Sequence, residues 1–243
     1  MKQLSTSLIV ALFLMVSFSS CGRINVRGDG HVVSKTYSIT DFNELAVGGG
    51  NIELTYIHSD SLPSLKIEVD QNILNKLEVK VEDKKLTIKP WNNKESLSPT
   101  RFVIIVGSKT LQSLKMAGQG TCRIDSLLKC ENLNLALAGS GSISVDTMSV
   151  NNLTCEIAGS GSLNLCGTAG DTKIKVAGSS NVNAYNLTTN KLLCEMAGSN
   201  QVEISVNESI SAKIAGSGEI RYKGNPSIVD QKIAGSGSLR KVE

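Results

Sequence analysis

The sequence predicts an all-β fold: a single-stranded parallel β-helix, a solenoid whose coils are about 20 residues long. Three observations predict it. The first is a short phrase written seven times: MAGQGTCRI from Met116, LAGSGSISV from Leu137, IAGSGSLNL from Ile157, VAGSSNVNA from Val176, MAGSNQVEI from Met196, IAGSGEIRY from Ile214 and IAGSGSLRK from Ile233. Its alanines, from Ala117 to Ala234, fall 18 to 21 residues apart. The second is alternation. The residue before each alanine and the residue five after it (Cys122, Ile143, Leu163, Val182, Val202, Ile220, Leu239) are apolar, with polar residues between, the period of 2 of a strand with one buried face. The third is composition. Aromatics make up only 4% of the chain, so aliphatic and small residues must fill the core, which stacked layers allow.

The chain opens with a secretory signal over residues 1–20: Lys2, an apolar run from Leu8 to Val16, then small residues before Cys21. A cysteine at that place resembles a bacterial lipobox, which implies cleavage before Cys21 and its acylation. An acyl anchor tethers a protein to a membrane without spanning it. The glycine-rich GRINVRGDG that follows reads as a flexible tether over residues 21–30. Within it Arg27-Gly28-Asp29 spells a tripeptide read by some adhesion receptors, a three-residue match that a solvated linker also explains.

Residues 31–115 read as strands that cap one end of the solenoid. HVVSKTYSI, NIELTYI, SLKIEV, KLEVKV, KLTIKP and RFVIIV alternate and are rich in β-branched residues. Turns are expected at Gly48-Gly49-Gly50, Asp83-Lys84 and Trp91-Asn92-Asn93. One helical turn is expected at Asp70 to Leu74, with Asp70 as its cap. Trp91, the sole tryptophan, is expected to pack at a strand end. The phrase VGGGNIEL at Val47 reads as a degenerate eighth copy of the repeat.

Residues 116–243 form seven coils, each a strand, an AGSG corner, a second strand and a shorter third side. The corner composition predicts positive φ at the glycine after each alanine and at the position three after it, which is Ser180 and Asn200 in two copies. Stacking predicts that Glu156, Lys175, Glu195 and Lys213, each two before an alanine, lie on successive rungs with alternating charge. Gln231 and Lys241 replace apolar residues in the last coil and mark the C-terminal cap.

Chemistry-bearing clusters are sparse. His31 and His58 lack metal-ligand spacing, and no cofactor or metal is expected. A net charge of +3 with interspersed signs gives no nucleic-acid footprint. Glycoside hydrolysis usually uses two carboxylates; pairs from different columns, such as Glu203 with Glu219, exist but read as solvated surface. Cys122, Cys155 and Cys194 occupy inward columns as small hydrophobes, and Cys155 and Cys194 stand two coils apart, beyond disulfide reach.

The repeated glycine phrase, the stretch DQNILNKLEVKVEDKKLTI and the ending IRYKGNPSIVDQKIAGSGSLRKVE together resemble the head GIN domain family of auto-transporter adhesins, lipoproteins of Gram-negative bacteria. The resemblance covers residues 31–243. It implies a right-handed β-helix and an envelope location, at the surface or facing the periplasm. This chain has AGSG where the family phrase often has SGSG.

The expected function is therefore a lipid-anchored outer-membrane protein that binds a glycan or a host or matrix surface, without catalysis. A structural or stress-related envelope protein and a polysaccharide-active enzyme are the alternatives. The candidate ligand face is the polar ladder four after the alanine, chiefly Ser142, Ser162, Asn181, Gln201 and Glu219, whose hydroxyls and amides recur at a regular spacing.

Overall fold

The computed structural model describes residues 24–242. The signal segment 1–20 and Cys21 lie outside the described residues. The strands are β1 (Ile24–Arg27), β2 (Val32–Tyr37), β3 (Glu44–His58), β4 (Ser64–Asp70), β5 (Leu77–Glu82), β6 (Lys85–Pro90), β7 (Glu95–Ser98), β8 (Phe102–Ser108), β9 (Ser113–Gly139), β10 (Ser142–Gly159), β11 (Ser162–Gly178), β12 (Asn181–Gly198), β13 (Gln201–Gly216), β14 (Glu219–Lys223), β15 (Ser227–Gly235) and β16 (Ser238–Lys241), with one short helix, α1 (Gln71–Leu74).

These strands form a parallel β-helix of about six turns, about 20 residues apart. Strands β3 and β9 to β16 pair in parallel, coil upon coil. The register follows the repeat: Ala138, Ala158, Ala177, Ala197, Ala215 and Ala234 are partners on successive rungs. Below them, Gly48 of the degenerate copy pairs with Ala117, so VGGGNIEL is the first rung of the array. Register shifts fall on the third side, between Val145 and Met148, Asn164 and Gly167, and Ala184 and Thr188. Between the AGSG coils, differences in coil length are thus absorbed there and the corners stay aligned; against the degenerate copy the register slips at the corner itself, between Gly48 and Asn51.

The core is a stack of inward columns. Ile143, Leu163, Val182, Val202 and Ile220 are wholly buried, as are Cys155, Ile174, Cys194 and Ala212. Where the third side buries polar groups, they pair with each other: Thr172 Oγ1 donates to Thr189 Oγ1 at 2.9 Å, and Thr189 Oγ1 donates to the Gly170 carbonyl at 2.9 Å.

The glycine after each alanine has φ between +103° and +128° in all seven copies. A Cβ on Gly159 would also collide with the carbonyl oxygen of Gly139 one rung below. The second corner glycine differs from expectation. Only Gly120 among those positions has positive φ; the others are kept small by neighbours. A Cβ on Gly141 would lie 2.5 Å from Met116 Cε, and one on Gly218 2.5 Å from Met196 Cε. That position points into the core, so Ser180 and Asn200 are buried there, at 1% and 4% exposure. Ser180 Oγ donates to Gly159 O at 2.9 Å, and Asn200 Nδ2 donates to Ala197 O at 2.8 Å. Buried polar side chains are tolerated because the corner carbonyls accept from them.

The N-terminal layer is built otherwise. Strands β6 and β8 continue the parallel pairing on β3, but β4 and β2 add in antiparallel order and β5 folds back on β6. The β5–β6 hairpin turns through Asp83 and Lys84 with φ of 48° and 61°. This layer holds the fully buried Phe42 and Tyr56, and the Tyr56 hydroxyl bonds Ser108 O at 3.0 Å.

Three further expectations need correction. The tether ends earlier than residue 30, because Ile24–Arg27 forms β1, parallel to β7. Asp70 precedes α1 but makes no capping bond. Its carboxylate instead accepts from Gly30 N (2.8 Å), Thr100 N (2.8 Å) and Thr100 Oγ1 (2.6 Å), clasping the segment after β1 to the segment before β8. Trp91 does not pack: it is 75% exposed. At the far end, Gln231 and Lys241 pair with Ala212 and Tyr222 on the coil below, and both are exposed.

Candidate functional site

The two strands of each coil meet at the corner and present two different outer faces. Alternation places the residues four and six after each alanine on one of them. Thr121, Ser142, Ser162, Asn181, Gln201, Glu219 and Ser238 are consecutive partners, so the expected polar ladder is a continuous row. The side chains of Ser142, Ser162 and Asn181 make no hydrogen bond among the described residues. Beside them runs a second row in which Asn183 Nδ2 donates to Asn164 Oδ1 at 2.8 Å.

At the C-terminal end this face becomes ionic. Arg221 lies 3.5 Å from Glu203 and 2.9 Å from Glu219, and Arg240 lies 3.5 Å from Glu219. The carboxylates of Glu203 and Glu219 are bridged by the Arg221 guanidinium. This is ion-pair geometry; a general acid and base would need carboxylates free to reach substrate.

The other outer face carries a long, open groove. A groove of about 1430 Å³ runs along the rod from Ala46 and Lys89 to Lys232 and Ala234. Its floor includes the alanine column, whose methyl groups point outward and are exposed or half-buried on every rung. Beside it stand Lys115, Ala136, Glu156, Lys175, Glu195, Lys213 and Lys232, the column two before the alanine. Charge alternates through the middle as expected: Lys175 lies 3.8 Å from Glu156, and Lys213 lies 3.1 Å from Glu195. No aromatic side chain lines the groove. The alternation of the sequence did not reveal this site. Its signal was an alanine at an outward-facing position in all seven copies, where a solvated strand would carry varied polar residues.

The expected cysteines Cys122, Cys155 and Cys194 are buried, and Ile174 stands between Cys155 and Cys194 in their column. Burial pushes the Cys122 and Cys155 thiols up to about 12 and raises that of Cys194 as well. His58 ends β3, 3.7 Å from Asp60, and the His31 amide donates to Asp29. Among the described residues no group of His, Cys, Asp and Glu is placed to hold a metal. The Arg27-Gly28-Asp29 stretch is held in place rather than presented on a loop tip: Asn72 Nδ2 donates to Arg27 O at 2.8 Å, and Asp29 N donates to Asn72 Oδ1 at 3.2 Å. No helix among the described residues is long and apolar enough to cross a membrane.

Comparison with solved structures finds the same architecture in other bacterial proteins. A Parabacteroides distasonis protein, titled a putative lipid binding protein, is 30% identical over 90% of this chain and all of its own, with a TM-score of 0.73. A Bacteroides fragilis protein titled a putative adhesin is 26% identical over 89% of this chain and all of its own, with a TM-score of 0.82. One from Parabacteroides merdae, also titled a putative adhesin, is 26% identical over 90% of this chain and all of its own, with a TM-score of 0.72. No curated protein matches. A family model described as "putative auto-transporter adhesin, head GIN domain" matches residues 41–226, most of the solenoid and its N-terminal layer, and the chain belongs to that family.

Proposed function

We propose that this protein is a lipid-anchored envelope adhesin, held to the outer membrane of a Gram-negative bacterium through acylated Cys21, that binds an extended ligand along its rod without transforming it. The observation that carries the reading is the alanine-floored groove, which is continuous over the whole array. Its uniform small residues favour a ligand that is itself regular and chain-like, because each rung offers the same contact about 4.8 Å from the last. Family membership and the adhesin titles of two solved relatives support a binding role. Similarity to a third solved relative, a putative lipid binding protein, supports an alkyl-bearing ligand.

The polar ladder of Ser142, Ser162, Asn181, Gln201 and Glu219 is the second candidate face. Its continuous register and the unbonded hydroxyl and amide groups of its first three residues favour it for a glycan. The test is binding of the soluble domain to a glycan array and to phospholipid vesicles, beside a turnover assay on the same glycans. Saturable binding without product is expected. Product formation would make the protein a polysaccharide-active enzyme. Failure to bind any surface would leave a structural envelope protein.

A further inference from the structure

We propose that the turn Trp91–Lys94, together with Ile24, is a membrane-docking surface that seats the N-terminal layer of the rod on the bilayer. The proposal rests on the acylation of Cys21 and adds a second contact to it. Trp91 is 75% exposed, and Ile24, three residues after Cys21, is 62% exposed. They belong to one unit. Ile24 N donates to Lys94 O at 3.0 Å, and Glu95 N closes the turn on Asn92 O at 2.9 Å. Trp91 N donates to Lys76 O at 2.8 Å, which fixes the base of the turn. The tryptophan is therefore carried on an ordered turn and aimed away from the core.

Chain length places this turn at the membrane. Cys21 is three residues before Ile24. An extended chain spans at most about 3.3–3.6 Å per residue, so the acylated residue lies within about 10 Å of Ile24. The headgroup region on each side of a bilayer is roughly 5–8 Å deep. A tether of that length keeps Ile24 within about 5 Å of the headgroup region even when fully extended. The side chains there suit that depth. An indole is apolar with one N–H donor and favours the membrane–water interface. Lys94 is exposed and forms no ion pair among the described residues, so its ammonium is available to lipid phosphate. The nearby Glu95 is already neutralised by Lys76 at 2.8 Å.

The same geometry orients the rod. The turn sits at the β6–β7 end, in the layer below the first coil, so the array and its groove lead away from the bilayer.

Trp91 is the sole tryptophan, so its emission reports the contact without a label. The acylated full-length protein would be reconstituted into vesicles of phosphatidylethanolamine and phosphatidylglycerol and compared with the Cys21→Ser chain in buffer. Docking predicts a blue-shifted emission in vesicles, at least twofold less quenching by acrylamide, and new quenching by brominated acyl chains. Palmitate labelling and co-sedimentation are read on the same sample. Labelled, sedimenting protein whose Trp91 emission matches the buffer sample would overturn docking and leave the anchor standing. Absence of label would overturn both. A shift caused by soluble glycans in place of vesicles would assign Trp91 to sugar stacking and overturn the proposal.

Discussion

The array over β3 and β9–β16 and the N-terminal layer over β1, β2 and β4–β8 solve the same problem by different means. In the array each strand edge is covered by the next copy of the same phrase, and a single backbone geometry recurs at every corner. The N-terminal layer has no copy beneath it. It ends the stack with antiparallel strands, a hairpin, a four-residue helix and the clasp of Asp70 on Gly30 and Thr100. Regular parallel pairing extends the rod, and irregular pairing closes it, since an open sheet end invites further strands. The proposed anchor at Cys21 precedes the irregular end, and the proposed binding faces lie on the repeated outer surface.

The largest expected effect breaks the array's corner. Gly159→Val places a β-branched residue at φ +128° and drives its Cβ into the Gly139 carbonyl. Strain and overpacking together are worth about 2–6 kcal/mol. Ser160→Val, on an exposed neighbour, should cost less than about 1 kcal/mol. Thermal melts of the two variants check this, and equal shifts would refute the corner geometry.

A smaller effect is expected at the other region. Burial alone would raise the Asp70 pKa, but the bonds from Thr100 Oγ1, Thr100 N and Gly30 N hold it below its ordinary value. A carboxylate depressed in the folded state contributes stability above its unfolded pKa, about 3.9, and loses it as pH falls through the folded value. Acid should therefore loosen residues 28–31 and 98–101 before the array, read by hydrogen exchange. Asp70→Asn should cost about 1–3 kcal/mol and abolish that acid step. An unchanged acid step in the variant would show that Asp70 does not hold the layer.

Thiol chemistry sharpens the contrast without perturbing the fold. Cys122, Cys155 and Cys194 are sealed in the array's core, whereas Cys166 and Cys130 are half-buried. Iodoacetamide at pH 8 should modify Cys166 and Cys130 first and reach the other three only in denaturant. Equal labelling of all five in the folded protein would contradict the inward columns. The smallest effect belongs to the rung charges. Lys213→Ala removes an exposed pair with Glu195 and should change stability by about 0.2–1 kcal/mol, fading with salt.

Much of the array was legible because a repeat reports its own register. Aligning the alanines gave the inward columns, the partner rungs of Glu156, Lys175, Glu195 and Lys213, and the polar ladder through Asn181 and Gln201. Glycine's two uses were not separable from composition: Gly159 answers to φ, while Gly161 answers to the Leu137 side chain that would meet its Cβ. The N-terminal layer was less legible because its defining contacts are distant in sequence. Ile24–Arg27 pairs with Glu95–Ser98, and four residues carry too little periodicity to announce a strand. Trp91 was misread because a position after a strand says nothing about which way the turn faces. The groove was missed because alternation tells inside from outside but not flat from concave.

The most direct test of the functional account sets the two outer faces against each other. Ala158→Gln with Ala197→Gln fills the groove without altering charge, and Asn181→Lys with Gln201→Lys alters only the ladder; circular dichroism would verify both folds. Binding of each soluble double variant would be measured on whichever glycan or vesicle surface the parent domain binds. The account predicts at least a tenfold loss of affinity for the groove variant and less than a twofold change for the ladder variant. Loss confined to the ladder variant would contradict it and return the site to Ser142, Ser162, Asn181, Gln201 and Glu219.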